Sequence, residues 1–242
     1  MSVAIAIVQF TLRSCFPRKR RWGLLLPCVA ALLFGLLARS VDDTYAEGFA
    51  QVSSFALFGL VLPIACLVIG DAVMGADIRS GNFPFTWLSP VPFRVITVSR
   101  WVAGTLVALV TVVPAFTIAA FVAGVPEAAA PAALATAVAA ATYVALFVLI
   151  GCATKRATVW SLGVILLGEH LVAAALDSVA QLSPGHLAFA AFSGLTDVPA
   201  DLVRDGIPQG WSAVVRLVIV VVVCVALSGW RLSRVRLSGA VD

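Results

Sequence analysis

Charged residues are scarce in this sequence of 242 residues, which contains 16 lysines and arginines and 12 aspartates and glutamates. They make up 12% of the chain, whereas a soluble domain has about 25% charged residues. Hydrophobic residues make up 62% of the chain, and one soluble core of this size could not bury so much apolar surface. The composition therefore excludes an ordinary soluble protein and predicts an integral membrane protein.

Several motifs that carry chemistry in other proteins are absent. The five cysteines form no Cys-x-x-Cys pair, and no Cys/His spacing typical of a metal site occurs. The sequence contains no G-x-x-x-x-G-K-[ST] phosphate-binding loop. Its basic residues lie at the ends of apolar runs and not on a basic face with interleaved aromatic residues, which argues against nucleic-acid binding. We therefore expect no metal, no cofactor and no catalytic residues on this chain.

Long apolar runs predict about six transmembrane helices in a single all-α membrane domain, because about 20 apolar residues cross the hydrocarbon core. The predicted spans are approximately residues 22–38, 49–70, 101–123, 132–153, 159–176 and 214–230. Residues 2–16 precede them, and their interrupted apolar pattern predicts a helix lying in the membrane interface.

The distribution of positive charge predicts the orientation of these spans. Thirteen of the lysines and arginines, including the cluster Arg18–Arg21, fall on one side, and only Arg39, Arg204 and Arg216 fall on the other. Positive residues concentrate in cytoplasmic loops. Both ends of the chain are therefore predicted to be cytoplasmic.

Two predicted connections are longer than turns: a cytoplasmic one over residues 71–100 and an external one over residues 177–213. The external connection contains the apolar stretch Leu182–Phe192, which is too short to span and too apolar for a free loop. Short re-entrant or interfacial helices before the sixth span satisfy both conditions. A loop packed on the surface is the alternative.

The cytoplasmic connection contains an unusual density of large apolar side chains bounded by prolines. They are Phe83, Phe85, Trp87 and Leu88. Exposed apolar patches rimmed by polar residues mark interaction sites. We interpret this segment as a docking element for a cytoplasmic partner, and the alternative is a segment lying on lipid.

The same connection resembles that of the permease subunits of ABC-2 type exporters. In that family an acidic residue and a Gly-Thr-Leu-like turn follow the second helix. A coupling helix, a Ser/Thr-Pro-Val-like segment and a basic residue come next. The residues that occupy these places here are Asp77, Gly81, Leu88, Ser89-Pro90-Val91 and Arg100. Asn82 and Phe83 stand where Thr and Leu are commoner, and Asp77 stands where Glu is commoner.

The resemblance implies a transport subunit of the cell membrane and not an enzyme. Two copies of a separate ABC ATPase would hold ATP and magnesium, and a second permease copy or a related permease would complete the complex. The residues that the resemblance assigns to ATPase coupling are Asp77, Gly81, Phe83, Phe85, Trp87 and Leu88.

Glu169 and His170 lie near the middle of the fifth predicted span. An ionisable side chain within a membrane is costly to bury and is a candidate functional residue by default. The two residues could line a translocation pathway, or they could form hydrogen bonds between helices. Two rival functions stay open: an intramembrane enzyme that uses Glu169 and His170, and a membrane scaffold or immunity subunit that transports nothing.

Overall fold

The computed structural model of the chain describes residues 3–15, 21–41, 44–75, 91–154, 156–172, 175, 177–196, 202–204 and 206–234. Every regular element within these ranges is helical. The α-helices of the described ranges are α1 (Val3–Cys15), α2 (Arg21–Val41), α3 (Tyr45–Val52), α4 (Leu62–Gly70), α5 (Phe93–Ala123), α6 (Ala129–Ala153), α7 (Ala157–Gly163), α8 (Asp177–Ala180), α9 (Pro184–Ser193) and α10 (Trp211–Arg234).

Three π-helical segments continue these α-helices without a break. Ser53–Val61 joins α3 to α4, Asp71–Gly75 follows α4, and Val164–Val172 follows α7. The π-helix is rare, and its short occurrences inside α-helices are frequent at functional sites. The second and fifth predicted spans, 49–70 and 159–176, are therefore wound differently from ideal α-helices along Ser53–Val61 and Val164–Val172.

Four continuous helices are long and apolar enough to cross a membrane. They are Tyr45–Met74, Phe93–Ala123, Pro126–Ala153 and Trp211–Arg234. Each contains one of the predicted spans and extends beyond it at one or both ends. The first and fifth predicted spans, 22–38 and 159–176, overlap shorter apolar helices, Leu26–Ser40 and Ala157–Glu169. The architecture is that of an all-helical membrane protein.

Helix α6 is central, because α4, α5, α9 and α10 all pack against it. Its buried face is largely alanine, including Ala132, Ala135, Ala139 and Ala140. Small side chains let helix backbones approach closely where the solvent is lipid. Tyr143 is also fully buried on this helix and places its hydroxyl group inside the bundle.

Helix α2 also approaches its neighbour closely, at Gly35. A Cβ atom at this position would lie 2.8 Å from the carbonyl oxygen of Ala119 on α5. Only glycine fits this contact without a shift of the α5 backbone. α2 is therefore packed firmly on the long helix α5.

A cluster of five phenylalanines fixes α9 inside the bundle. They are Phe49, Phe58, Phe116, Phe189 and Phe192. The ring centroids of neighbouring members are 5.3–6.4 Å apart, within the range of favourable aromatic pairs. The short helix that the sequence indicates before the last span is thus present, and most of its side chains are buried.

Helical structure covers both ends of the predicted connection 71–100. Residues up to Gly75 are helical, and α5 begins at Phe93, immediately after Pro92. The fixed φ of proline, here −57°, suits the residue that starts a helix. The six predicted coupling residues lie between these ends, outside the described residues.

Candidate functional site

Glu169 is buried inside the helical bundle, with 6% of its surface exposed. It lies on the π-helical segment Val164–Val172 and faces Tyr143 of α6. The Tyr143 hydroxyl lies 2.8 Å from Oε1 and 2.6 Å from Oε2 of the carboxyl group. Glu169 thus forms hydrogen bonds between helices, which is one of the two roles that the sequence leaves open for it, and its partner on α6 is the Tyr143 hydroxyl.

The same carboxyl group also caps the N-terminus of α9. The Ser183 hydroxyl donates to Oε1 at 3.2 Å, and the Gly185 N–H donates to the same oxygen at 3.4 Å. Ser183 occupies the N-cap position, but its side chain makes no capping hydrogen bond of its own. Glu169 therefore supplies the acceptor that the first N–H groups of a helix need, and the positive end of the helix dipole favours a carboxyl there.

Gly185 is the residue that lets these groups come together. A Cβ atom here would lie 2.9 Å from the Tyr143 hydroxyl and 3.4 Å from Glu169 Oε2. Any larger residue would push the tyrosine away from the carboxyl group. The absence of a side chain at Gly185 is thus a condition for the hydrogen-bond network.

Replacing Gly185 with alanine is expected to destabilise the chain by about 1–3 kcal/mol, because overpacking a buried site costs this much. Gly163→Ala is the matched control, since a Cβ atom there meets nothing within 4 Å. Four of the five cysteines are buried, so a thiol-reactive fluorophore reports unfolding as the protein is heated. A Gly185→Ala midpoint no lower than that of Gly163→Ala would contradict the described packing.

The carboxyl group forms part of the wall of a cavity of about 260 Å³. The polar residues that line it are Ser54, Glu169, His186 and Arg204. Phe55 and Gly59, which line it with Ser54, belong to the π-helical segment Ser53–Val61, so two π-helical segments contribute to the walls. A small polar or amphipathic group could enter this space and contact charged and apolar walls together.

His186 extends the network toward the cavity, because its Nδ1 atom lies 3.1 Å from the Ser183 hydroxyl. In a serine-hydrolase triad the imidazole lies between the hydroxyl and the carboxyl group. Here the hydroxyl of Ser183 lies between His186 and Glu169. The arrangement is therefore a capping network, and its order differs from that of a nucleophilic triad.

The sequence singled out Glu169 but none of its partners. Tyr143, Ser183 and Gly185 come from distant segments, although Ser183-Pro184 is a typical helix start that could have marked the N-terminus of α9. The backbone of His170 is part of the π-helical segment, and its side chain lies outside the described residues. Within the described ranges, no three His, Cys, Asp or Glu side chains form a group that could hold a metal ion.

A second polar arrangement lies at the other end of the helix Tyr45–Met74. Arg100 of α5 is 3% exposed, and its Nη1 atom donates to the carbonyl oxygen of Val73 at 3.0 Å and contacts Met74 Sδ at 3.3 Å. The two residues lie on the last helical turns before the undescribed connection 76–90. Arg100 thus clamps together the two helices that the connection joins.

A further hydrogen bond ties this end of the helix to α7. The Thr158 hydroxyl donates to Asp71 Oδ1 at 2.7 Å. Asp71 begins the π-helical segment Asp71–Gly75, and Thr158 lies in the first turn of α7. Together with the Arg100 clamp, this contact holds the helix Tyr45–Met74, α5 and α7 together next to the connection 76–90.

A scan of the chain against models of protein families gives no match, and a search of curated proteins gives none either.

Proposed function

We propose that this chain is the transmembrane permease subunit of an ATP-driven exporter of the ABC-2 type in the cell membrane. It crosses the membrane six times with both ends in the cytoplasm. Two copies of a separate ATPase bind the connection 76–90, and a second permease copy or a related permease completes the complex. ATP and magnesium are bound by the ATPase chains.

The observation that carries this proposal is the single continuous helix Tyr45–Met74. One end bears Ser54 and Phe55 in the cavity wall, and the other bears Val73 in the Arg100 clamp. At the α-helical rise of 1.5 Å per residue, the 19 steps from Ser54 to Val73 would span about 28 Å, and the wider π-helical turns shorten this distance somewhat. The helix therefore links the base of the aromatic connection to the cavity across roughly the thickness of the hydrocarbon core.

The clamp supports a mechanism of mechanical coupling. Closure of the two ATPase chains on ATP pushes the segment Phe83–Leu88. Because Arg100 holds α5 to the helix Tyr45–Met74, both helices move with the segment as one unit. The far end of the helix Tyr45–Met74, which lines the cavity, then changes the shape of the cavity, which is how alternating access would be driven.

Glu169 has a positioning role in this mechanism. It holds α9 on α6 through hydrogen bonds to Gly185 and Tyr143. A carboxyl group that caps a short buried helix keeps the α9 wall of the cavity attached to α6 when the helix Tyr45–Met74 moves. The polar cavity wall then offers the substrate a hydrogen-bonding surface within an otherwise apolar bundle.

The topology gives one prediction of its own. A cysteine placed at Asp43 or Asp201 should react with a membrane-impermeant thiol reagent applied to whole cells, because both positions are external in the six-span topology. A cysteine at Arg79 or Arg236 should react only after the cells are permeabilised. Labelling of Arg236→Cys in intact cells would mean an odd number of spans and would refute this topology.

Affinity purification tests the function. A tagged copy of the chain, extracted from its own membrane in mild detergent, should retain an ATPase with one ATPase chain for each permease chain. The scaffold alternative predicts that the chain purifies with other membrane proteins or alone. Repeated purification of intact, folded chain with no ATPase attached would reject the proposal.

A further inference from the structure

A groove of about 520 Å³ runs between α5 and α10, on the surface of the bundle away from the Glu169 cavity. Its volume lies within the range of about 300–1,000 Å³ that is usual for small-molecule sites. The groove walls are mostly apolar, with two tryptophans and one arginine. The residues that line it are Arg94, Thr97, Val98, Trp101, Val221, Val222, Val225, Ala226, Gly229 and Trp230.

One end of this groove is positively charged. Gly229 packs on Arg94, since a Cβ atom at Gly229 would lie 3.4 Å from Arg94 Cγ. The start of α5 therefore lies beside the end of α10, whose last turn carries Arg231 and Arg234. The first turn of α5 contains no acidic residue. Arg94 thus lines this end of the groove, and Arg234 adds a second guanidinium group beside the lining residue Trp230, whose ring it stacks over at 4.2 Å.

We infer that this groove binds an anionic phospholipid, with an acyl chain between α5 and α10 and the phosphate at Arg94. An acyl chain in the groove would contact Trp101 and the two valines Val98 and Val222, which are exposed at the protein surface. Guanidinium groups bind phosphate through paired N–H donors, and basic pockets between transmembrane helices bind anionic headgroups. The inference depends on the membrane location of the chain and not on the proposed transport function.

The two tryptophans in the groove provide a direct measurement. The other four of the six tryptophans are changed to phenylalanine, and the full chain is placed in phosphatidylcholine vesicles. Phosphatidylglycerol or phosphatidylcholine with brominated acyl chains is then titrated into the vesicles, and the quenching of tryptophan fluorescence is recorded. A juxtamembrane arginine favours an anionic lipid by about fivefold, so phosphatidylglycerol should associate at least about fivefold more strongly.

Two pairs of variants separate this site from lipid that merely surrounds the protein. Arg94→Gln should lower the preference for phosphatidylglycerol by about fivefold, whereas Arg216→Gln, at the opposite end of α10, should leave it unchanged. Ala226→Phe fills the groove and should weaken binding of the anionic lipid, whereas Val223→Phe is the control, because it is exposed on the same helix outside the groove.

Three results would overturn the inference. The first is equal quenching by the two lipids in the parent chain, which indicates surrounding lipid only. The second is an unchanged preference in both Arg94→Gln and Ala226→Phe. The third is efficient crosslinking of Val222→Cys between two copies of the chain with no quenching by either lipid, which would mean that a second copy covers the groove.

Discussion

Glu169→Leu is expected to destabilise the chain by several kcal/mol and to prevent recovery of a well-assembled protein. Leucine would leave the Gly185 N–H and the Tyr143 hydroxyl buried without their acceptor, and it would remove one of the two partners of the Ser183 hydroxyl. Each buried donor without a partner costs about 1–3 kcal/mol. The measurement is the thermal midpoint of purified protein and the fraction that elutes as a single species in detergent.

Glu169→Gln is the matched variant, and its stability is expected to lie within about 1 kcal/mol of the parent. The amide oxygen can accept from Ser183 and Gly185, and the amide N–H can donate to the Tyr143 oxygen. An amide cannot transfer a proton, so the intramembrane-enzyme alternative predicts complete loss of activity in this variant. Near-normal transport by folded Glu169→Gln would reject that alternative. Complete loss with intact assembly would revive it and contradict the positioning role.

Changing both Phe85 and Trp87 to alanine is expected to detach the ATPase without affecting membrane insertion. Buried aromatic residues dominate interface energies, and a hot-spot residue is worth about 2 kcal/mol or more. A loss of this size corresponds to about a 30-fold weaker affinity for each residue. The amount of ATPase retained by the tagged chain, divided by the amount of chain in the membrane, measures the effect.

The control for this pair is Phe10→Ala combined with Trp160→Ala. Both residues are exposed aromatic side chains of the same types, on α1 and α7. They lie outside the connection 76–90 and should leave ATPase retention unchanged. Equal retention in the Phe85/Trp87 pair and in the control pair would remove the docking role of the connection.

Hydropathy predicted the long helices well because it depends on composition over about 20 residues, and four of the predicted spans lie inside continuous apolar helices. It predicted helix ends less well, because helices such as α5 extend beyond the apolar stretch. Helix α5 begins at Phe93 because Pro92 occupies its N-cap position, and hydropathy does not detect a helix start set by a proline. The six-span topology itself stays a prediction.

The candidate site was only partly predictable, because helix winding and tertiary packing bring Glu169 together with its hydrogen-bond partners. Glu169 could be singled out because a lone carboxyl group within an apolar run is costly. Its contacts with Tyr143 and Ser183 depend on the π-helical winding of Val164–Val172, and an apolar periodicity does not reveal that change of register. The resemblance named Arg100 as a basic residue that opens a helix, but its contact with Val73 required the packed structure.

The central claim is that ATP acts on the cavity through the helix Tyr45–Met74, and thiol labelling of Ser54→Cys tests it most directly. Ser54 lines the cavity, and the parent chain, whose cysteines are buried or half-buried, gives the background labelling rate.

In the purified complex with its ATPase, addition of ATP and magnesium should change the labelling rate of Ser54→Cys several-fold. The rate for exposed Ser212→Cys should not change. Arg100→Gln, which weakens the clamp, should abolish the change while the ATPase stays bound. Equal Ser54→Cys rates with and without ATP, in a complex that hydrolyses ATP, would contradict the claim.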